Sequence, residues 1–415
     1  MRETLKQITF LLFLPVLIFG QVQEEVEAPS HIKSIVLNGP TGDQFPVVQI
    51  GEPIYLEFDD LTASEQDYYY KIVHCDYDWT PSELLKSQYL RGVDNQRIID
   101  YENSYTTLQP FSNYRLTIPN DNVSLKVSGN YVLEIYNNNY ELQFSRRFVV
   151  FKDLVKVGAQ VKRSRDFNFL NEKQVVQFTI NGGNFQLVNP KKEVKVAIIQ
   201  NYYWPTARYD VPPQFTLGTE LVYKYDTETS FFGGNEYFNF DTKDLRAPSA
   251  AIARIDLTEL YNHYLYSNNY RYKEPYTYFP DINGDFVVRT LQGEDNSREA
   301  EYTNVYFSLP YDEMLNLDEV YIFGKFNNYA LTDENKMWYD EEDGMMKAKV
   351  ALKQGFYNYK YVIKKEDGTV ELNAIPGNFH FTENNYTILV YYRNFGDLYD
   401  SVIGVGTANS RNISN

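Results

Sequence analysis

Ile54-Tyr55-Leu56-Glu57-Phe58 alternates in a period of two and puts Ile54, Leu56 and Phe58 on one face of an extended strand. Before it, Ile35-Val36-Leu37 is closed by the turn residues Asn38-Gly39-Pro40. Further runs of alternating or β-branched residues follow at 68–73, 114–118, 131–136 and 147–151, with Gly, Pro and Asn between them. Short strands at this spacing are the signature of an antiparallel β-sandwich. One helix is expected to interrupt it. Thr80-Pro81-Ser82-Glu83 reads as a capping box with Pro at the first helical position, which predicts a helix over 81–89.

Outward from this stretch the same grammar repeats. Segments 174–180 and 193–200 read as strands joined by Asn181-Gly182-Gly183-Asn184, and the alternation of Tyr237, Asn239 and Asp241 with Phe238 and Phe240 reads as another. A last stretch runs through Val305 to Leu309, Val320 to Gly324, 345–352 and 355–363, and ends near Ile388-Leu389-Val390. The fold class expected is mainly all-β, with serial immunoglobulin-like or early-set sandwiches and a short helix in the first. The divisions expected are a signal peptide over 1–20, sandwiches over 28–153, 154–298 and 299–404, and a frayed polar tail over 405–415.

Composition narrows the chemistry. The 415 residues suffice for two to four domains, and a formal charge of −17 argues against nucleic acid and anionic lipid, both of which select clustered Lys and Arg. The segment 1–20 has a basic start at Arg2 and Lys6, an apolar run from Ile8 to Phe19 and a small residue at Gly20. That run is shorter than the ~20 residues a membrane helix needs, so a cleavable signal peptide and export are expected, without a transmembrane segment. A single Cys cannot form an intramolecular disulfide, and four scattered His leave little room for zinc.

The candidate constellations read as structural. His74 and Cys75 are adjacent on a strand and therefore face opposite ways, so a packed Cys and a hydrogen-bonded His near Trp79 are expected rather than a shared ion. Asp281-Ile282-Asn283-Gly284-Asp285 lacks the EF-hand placement of Gly and Glu and reads as an Asn-Gly turn between strands. Glu341-Glu342-Asp343 beside Gly344 reads as a solvated hairpin tip. No phosphate loop, dinucleotide fingerprint or Gly-x-Ser-x-Gly is present, so neither enzyme activity, cofactor, metal nor small-molecule substrate is expected.

The surplus is aromatic: 38 Tyr and 27 Phe, several of them in loops. Rings in turns supply large contact areas at low entropic cost. Tyr202, Tyr203, Trp204, Phe231 and Phe232 are therefore expected to face a partner.

The run Tyr70-Lys71-Ile72-Val73-His74-Cys75-Asp76-Tyr77-Asp78-Trp79-Thr80-Pro81-Ser82 resembles the plug protein family of the type IX secretion system. Ser128-Gly129-Asn130-Tyr131, Pro280-Asp281-Ile282-Asn283-Gly284 and Tyr399-Asp400-Ser401-Val402-Ile403-Gly404 extend the likeness over nearly the whole chain after residue 20. The resemblance implies a periplasmic, non-enzymatic protein that seals the periplasmic mouth of the outer-membrane translocon barrel. It gives His74, Cys75, Asp76, Asp78 and Trp79 as the family's structural motif. The segments Val320 to Asn328 and Gly355 to Val362 are also similar to the early-set sandwich of glycogen- and starch-binding modules, with Tyr329 where such a module would carry a sugar-stacking Trp. The rival expectation is accordingly a cell-envelope glycan-binding or adhesion protein using its last sandwich.

Overall fold

The computed structural model describes residues 21–316 and 318–413, so the expected signal peptide lies outside the described residues. Within them the chain is mainly β. Ile32–Asn38, Ile54–Asp60, Ser112–Ile118 and Asp100–Asn103 form one sheet in that order. Val47–Gln49, Leu142–Phe151, Gly129–Tyr136, Tyr69–Cys75 and Gln96–Arg97 form the sheet facing it. Alternation does what the sequence implies: Ile54, Leu56 and Phe58 are buried and meet Ile72, Tyr131 and Phe148 of the opposite sheet in one core.

The expected helix is shorter, spanning Lys86–Tyr89 only. Pro81 bridges back to Cys75, and the amide of Ser82 donates to the carbonyl of His74. The Ser82 hydroxyl, 2.7 Å from His74 Nδ1, serves that ring instead of a helix N-terminus. A capping signature is outcompeted here by strand pairing.

Strand order departs most from the linear reading. Lys156–Arg163, Lys173–Asn181, Glu220–Tyr223 and Phe215–Leu217 form one sheet of a second sandwich, with Ser230–Phe232 also paired to Lys173–Asn181. Its other sheet is Val194–Gln200, Asn385–Tyr392 and Ser401–Asn409. The turn at 181–184 thus leads from one sheet towards the other and closes no hairpin. Everything between is a third sandwich: Phe238–Asp241, Glu319–Phe323 and Phe286–Val288 pair with Gly355–Lys364 in one sheet. Ile252–Leu257, Tyr261–Leu265, Tyr302–Pro310, Met345–Lys353 and Trp338–Asp340 make the other. The third sandwich is inserted into the second.

The boundary at 153/154 falls between Leu142–Phe151 of the first sandwich and Lys156–Arg163 of the second, whereas those at 298/299 and 404/405 do not follow the sheets. Asn385–Tyr392 belongs with Val194–Gln200, and residues 405–409 of the stretch expected as a frayed tail continue the strand Ser401–Asn409, with Ser410 buried. The cause is local ambiguity. Tyr386, Ile388 and Val390 enter the second core while Leu389 and Tyr391 enter a different cluster, so the strand is apolar on both faces and carries no mark of its partner. The 281–285 turn forms as read, with Asn283 and Gly284 both at positive φ, but only Phe286–Val288 flanks it as a strand.

Candidate functional site

The motif at 74–79 is a weld between sandwiches. His74 points into the first core, its ring edge-on to Tyr131 at 4.9 Å and its Nε2 3.3 Å from the carbonyl of Ser128. Burial holds its pKa down at about 4. A Cβ on Gly129 would lie 2.2 Å from His74 Nε2, so the ring needs glycine beneath it. Cys75 faces the other way, fully buried, and desolvation pushes its thiol up to about 12, which leaves it inert. It shares a cluster with Tyr77, Trp79, Val132 and Val149 from the first sandwich and Ala197, Ile199, Leu389 and Tyr391 from the second. Asp76 accepts from the amide of Asp400 at 3.0 Å and pairs with Arg393 at 3.3 Å, both in the second sandwich. Asp78 turns the chain by accepting from Thr80 at 3.0 Å.

A second weld joins the first and third sandwiches. Asp59, fully buried, accepts from Lys353 at 2.7 Å, Tyr302 at 2.6 Å and Asn113 at 2.8 Å. The Lys353 ammonium is 4.1 Å from the centre of the Phe111 ring. A third weld holds the insertion: the side chain of Gln174 donates at 2.7 Å to the carbonyls of both His380 and Thr382, and Asn384 donates to Gly233 at 2.9 Å.

These welds absorb most of the rings expected at a partner surface. Trp204 meets Trp79 edge-on at 4.8 Å, Tyr202 meets Phe45 at 5.0 Å, and Phe231 lies in the second core; all three are buried. The expectation of a partner surface on Tyr202, Trp204 and Phe231 is corrected accordingly: each ring fills a gap within the chain. Tyr203 is half-buried and packs at 5.0 Å on Tyr329, which in turn packs at 5.0 Å on Phe323. A sugar stacking on Tyr329 would have to displace Tyr203.

Phe232 alone of the five is exposed. It lies edge-on to Phe169 at 5.8 Å, with Lys173 over both rings. Phe167, 88 % exposed, stands two residues from Phe169, and Phe381, 57 % exposed, lies beside His380, whose amide donates to Asn171. Tyr276 lies 6.0 Å from Phe381, and the exposed rings of Tyr278 and Phe279 follow it. Loops from the second and third sandwiches thus converge in one exposed aromatic patch at the double chain crossing. The available signal was Phe inside Asp166-Phe167-Asn168 and Phe379-His380-Phe381, where polar turn residues deny a large ring a core position.

Fold and surfaces together define a serial β-sandwich protein of the immunoglobulin-like kind. Among the described residues no helix is long and apolar enough to cross a membrane, and no three His, Cys, Asp or Glu side chains are grouped to hold a metal ion. Residues 32–152 match the family described as Type 9 secretion system plug protein 1st domain. A hypothetical protein from Parabacteroides merdae ATCC 43184 has a crystal structure 33 % identical to the chain, with TM-score 0.87 over 93 % of this chain and 98 % of its own. The first sandwich of the chain therefore belongs to the type 9 secretion system plug protein first-domain family. The BSP domain of a biofilm-associated protein aligns over 92 % of this chain and 59 % of its own at 7 % identity, with TM-score 0.17. No curated protein matches.

Proposed function

We propose that the protein is a non-enzymatic periplasmic plug, exported by its first 20 residues, that binds and seals the periplasmic opening of the outer-membrane translocon barrel of the type IX secretion system. The observation that carries this reading is the absence of loose joints. Three sandwiches are held by buried welds at Asp59–Lys353, Cys75–Tyr391 and Gln174–Asn384, so the body resists load as a unit. A seal over a wide pore needs that stiffness, and a partly polar contact allows release when cargo enters.

The aromatic patch around Phe232 supports a docking face, because exposed rings of this density mark contact sites in soluble proteins. Removal of the protein is expected to make the outer membrane leaky to large solutes only while the barrel is present. Reintroduction of the chain with Phe167→Ser and Phe381→Ser, two surface changes expected to leave the melting temperature unchanged, should restore the seal poorly. Equal leakiness with and without the barrel would defeat the plug; full restoration by the double variant would move the docking face elsewhere.

A further inference from the structure

The strand Leu142–Phe151 has Val47–Gln49 beside it only at Val149 to Phe151, which leaves the edge at Ser145 to Arg147 open to another neighbour. The segment Gln21-Val22-Gln23-Glu24-Glu25-Val26-Glu27-Ala28 takes that place without being a strand itself. Val26 receives from the Ser145 amide at 3.0 Å and donates to the Ser145 hydroxyl at 2.8 Å. The Arg147 amide donates to Glu25 at 2.6 Å, its guanidinium donates to the carbonyl of Gln23, and the amide of Gln23 donates to Trp79 at 2.8 Å. From the third sandwich, Asn328 donates to Glu25 at 2.9 Å and to Glu27 at 3.2 Å.

Beneath this segment lies a cleft of about 800 Å³ where all three sandwiches meet. Outside the strap its wall carries three cations, Arg146, Arg147 and Lys325, against two carboxylates, Asp78 and Asp210, set among Trp79, Tyr202 and Trp204. The Arg147 guanidinium sits 4.4 Å from the centre of the Trp79 ring, and the Lys325 ammonium 5.3 Å from that of Tyr202. Two donors on the wall, the Tyr202 hydroxyl and Trp204 Nε1, are buried and have no hydrogen-bond partner among the described residues. The segment thus touches the cleft by side-chain charge and by main-chain bonds to a strand edge, which is how a sheet takes up a foreign peptide.

We propose that residues 21–28 are an exchangeable strap, and that the cleft with its open strand edge is a binding site for an extended acidic peptide segment of a partner protein, which displaces the strap by strand addition. The strap itself shows which peptide chemistry fits: three Glu within eight residues, set against three cationic side chains and read through the backbone. This inference stands apart from the Phe232 patch and from the identity of the barrel.

The test uses a fluorescein-labelled peptide of the strap's own sequence, read by anisotropy against the full chain. Tethering gives the strap an effective concentration in the millimolar range, so the wild-type chain should bind the free peptide weakly. Val26→Pro removes the amide that donates to Ser145 and should tighten peptide binding about tenfold. A peptide with all three Glu changed to Gln should bind the Val26→Pro chain at least tenfold more weakly than the acidic one, a comparison that leaves the protein untouched. Adding Arg147→Glu to the Val26→Pro chain should abolish binding of the acidic peptide. Equal binding of acidic and neutral peptides, or a Val26→Pro chain that binds no better than wild type, overturns the proposal.

Discussion

Lys353→Met tests whether the first and third sandwiches share one stability. The lysine is 2 % exposed, its ammonium 2.7 Å from Asp59 and 2.6 Å from the carbonyl of Ser297. Methionine keeps the length and apolar stem, so little packing changes. What changes is the charge balance: Asp59 keeps Tyr302 and Asn113 as donors, but no cation remains in contact with a fully buried carboxylate. Removing one member of a buried pair costs about 3–5 kcal/mol. At roughly 2 °C per kcal/mol for a chain of this length, the calorimetric midpoint should fall by about 6–10 °C. Removing both charges is a different perturbation. Asp59→Leu with Lys353→Met leaves no ion buried, and Tyr302 retains Ser34 at 2.7 Å, so the double variant should lie closer to wild type than Lys353→Met does. A Lys353→Met midpoint within 2 °C of wild type, or a double variant at the sum of the single losses, would refute the weld.

Further outcomes follow from other buried side chains. Trp204→Ala should destabilise the chain by about 3–5 kcal/mol through the void left against Trp79, while barrel association measured well below the melting range stays unchanged; selective loss of association would place Trp204 at the partner surface. His74 and His263 each lower stability on acidification from pH 6.5 to 4, because they take up protons only near pH 4 when folded but near 6.5 when unfolded. Each withholds about 3 kcal/mol across that window. Asp281, lifted by burial to about 7, acts the other way, as do Glu236, Asp285 and Glu301, which burial also raises: their contribution is present below the ordinary carboxylate range and is lost as pH rises, so it opposes the histidine term. Thermal melts of His263→Leu should show a shallower acid limb than wild type; an identical limb would remove His263 from the account.

Strand existence was legible in the sequence because alternation and turn chemistry are local. Ile54 to Phe58 needs only its own five residues to declare a face. The address of a strand is not local: nothing in Asn385 to Tyr392 says that its neighbour lies almost two hundred residues earlier, because both faces are apolar and both are covered. The aromatic loops failed for a related reason. A ring in a turn is equally suited to a foreign surface and to a neighbouring sandwich, and the 202–204 turn meets two of them: Trp204 lies on Trp79 and Tyr203 on Tyr329. His74 and Cys75 were readable because the two-residue period alone puts them on opposite faces, and no partner had to be known.

Insertion of the third sandwich into the second bears directly on stiffness. An appended domain hangs on one linker and can swing about it. Here the chain crosses twice, at 233–237 and 372–384, and the two crossings run side by side. The carbonyl of Gly234 accepts from the amide of Phe379 and the hydroxyl of Thr382, while Asn235 donates to Pro376 at 2.8 Å. Gly233 is packed so closely that a Cβ would stand 2.1 Å from the carbonyl oxygen of Phe379. Swinging the third sandwich about this joint would break those bonds and, at the far end, would also pull Lys353 from Asp59. The body is therefore closed on itself: the first sandwich holds the second through the Trp79 cluster and the third through Asp59, and the third returns to the second through the double crossing. A closed loop of buried contacts cannot open at one joint without straining the other two, which lets a chain of sandwiches behave as one block.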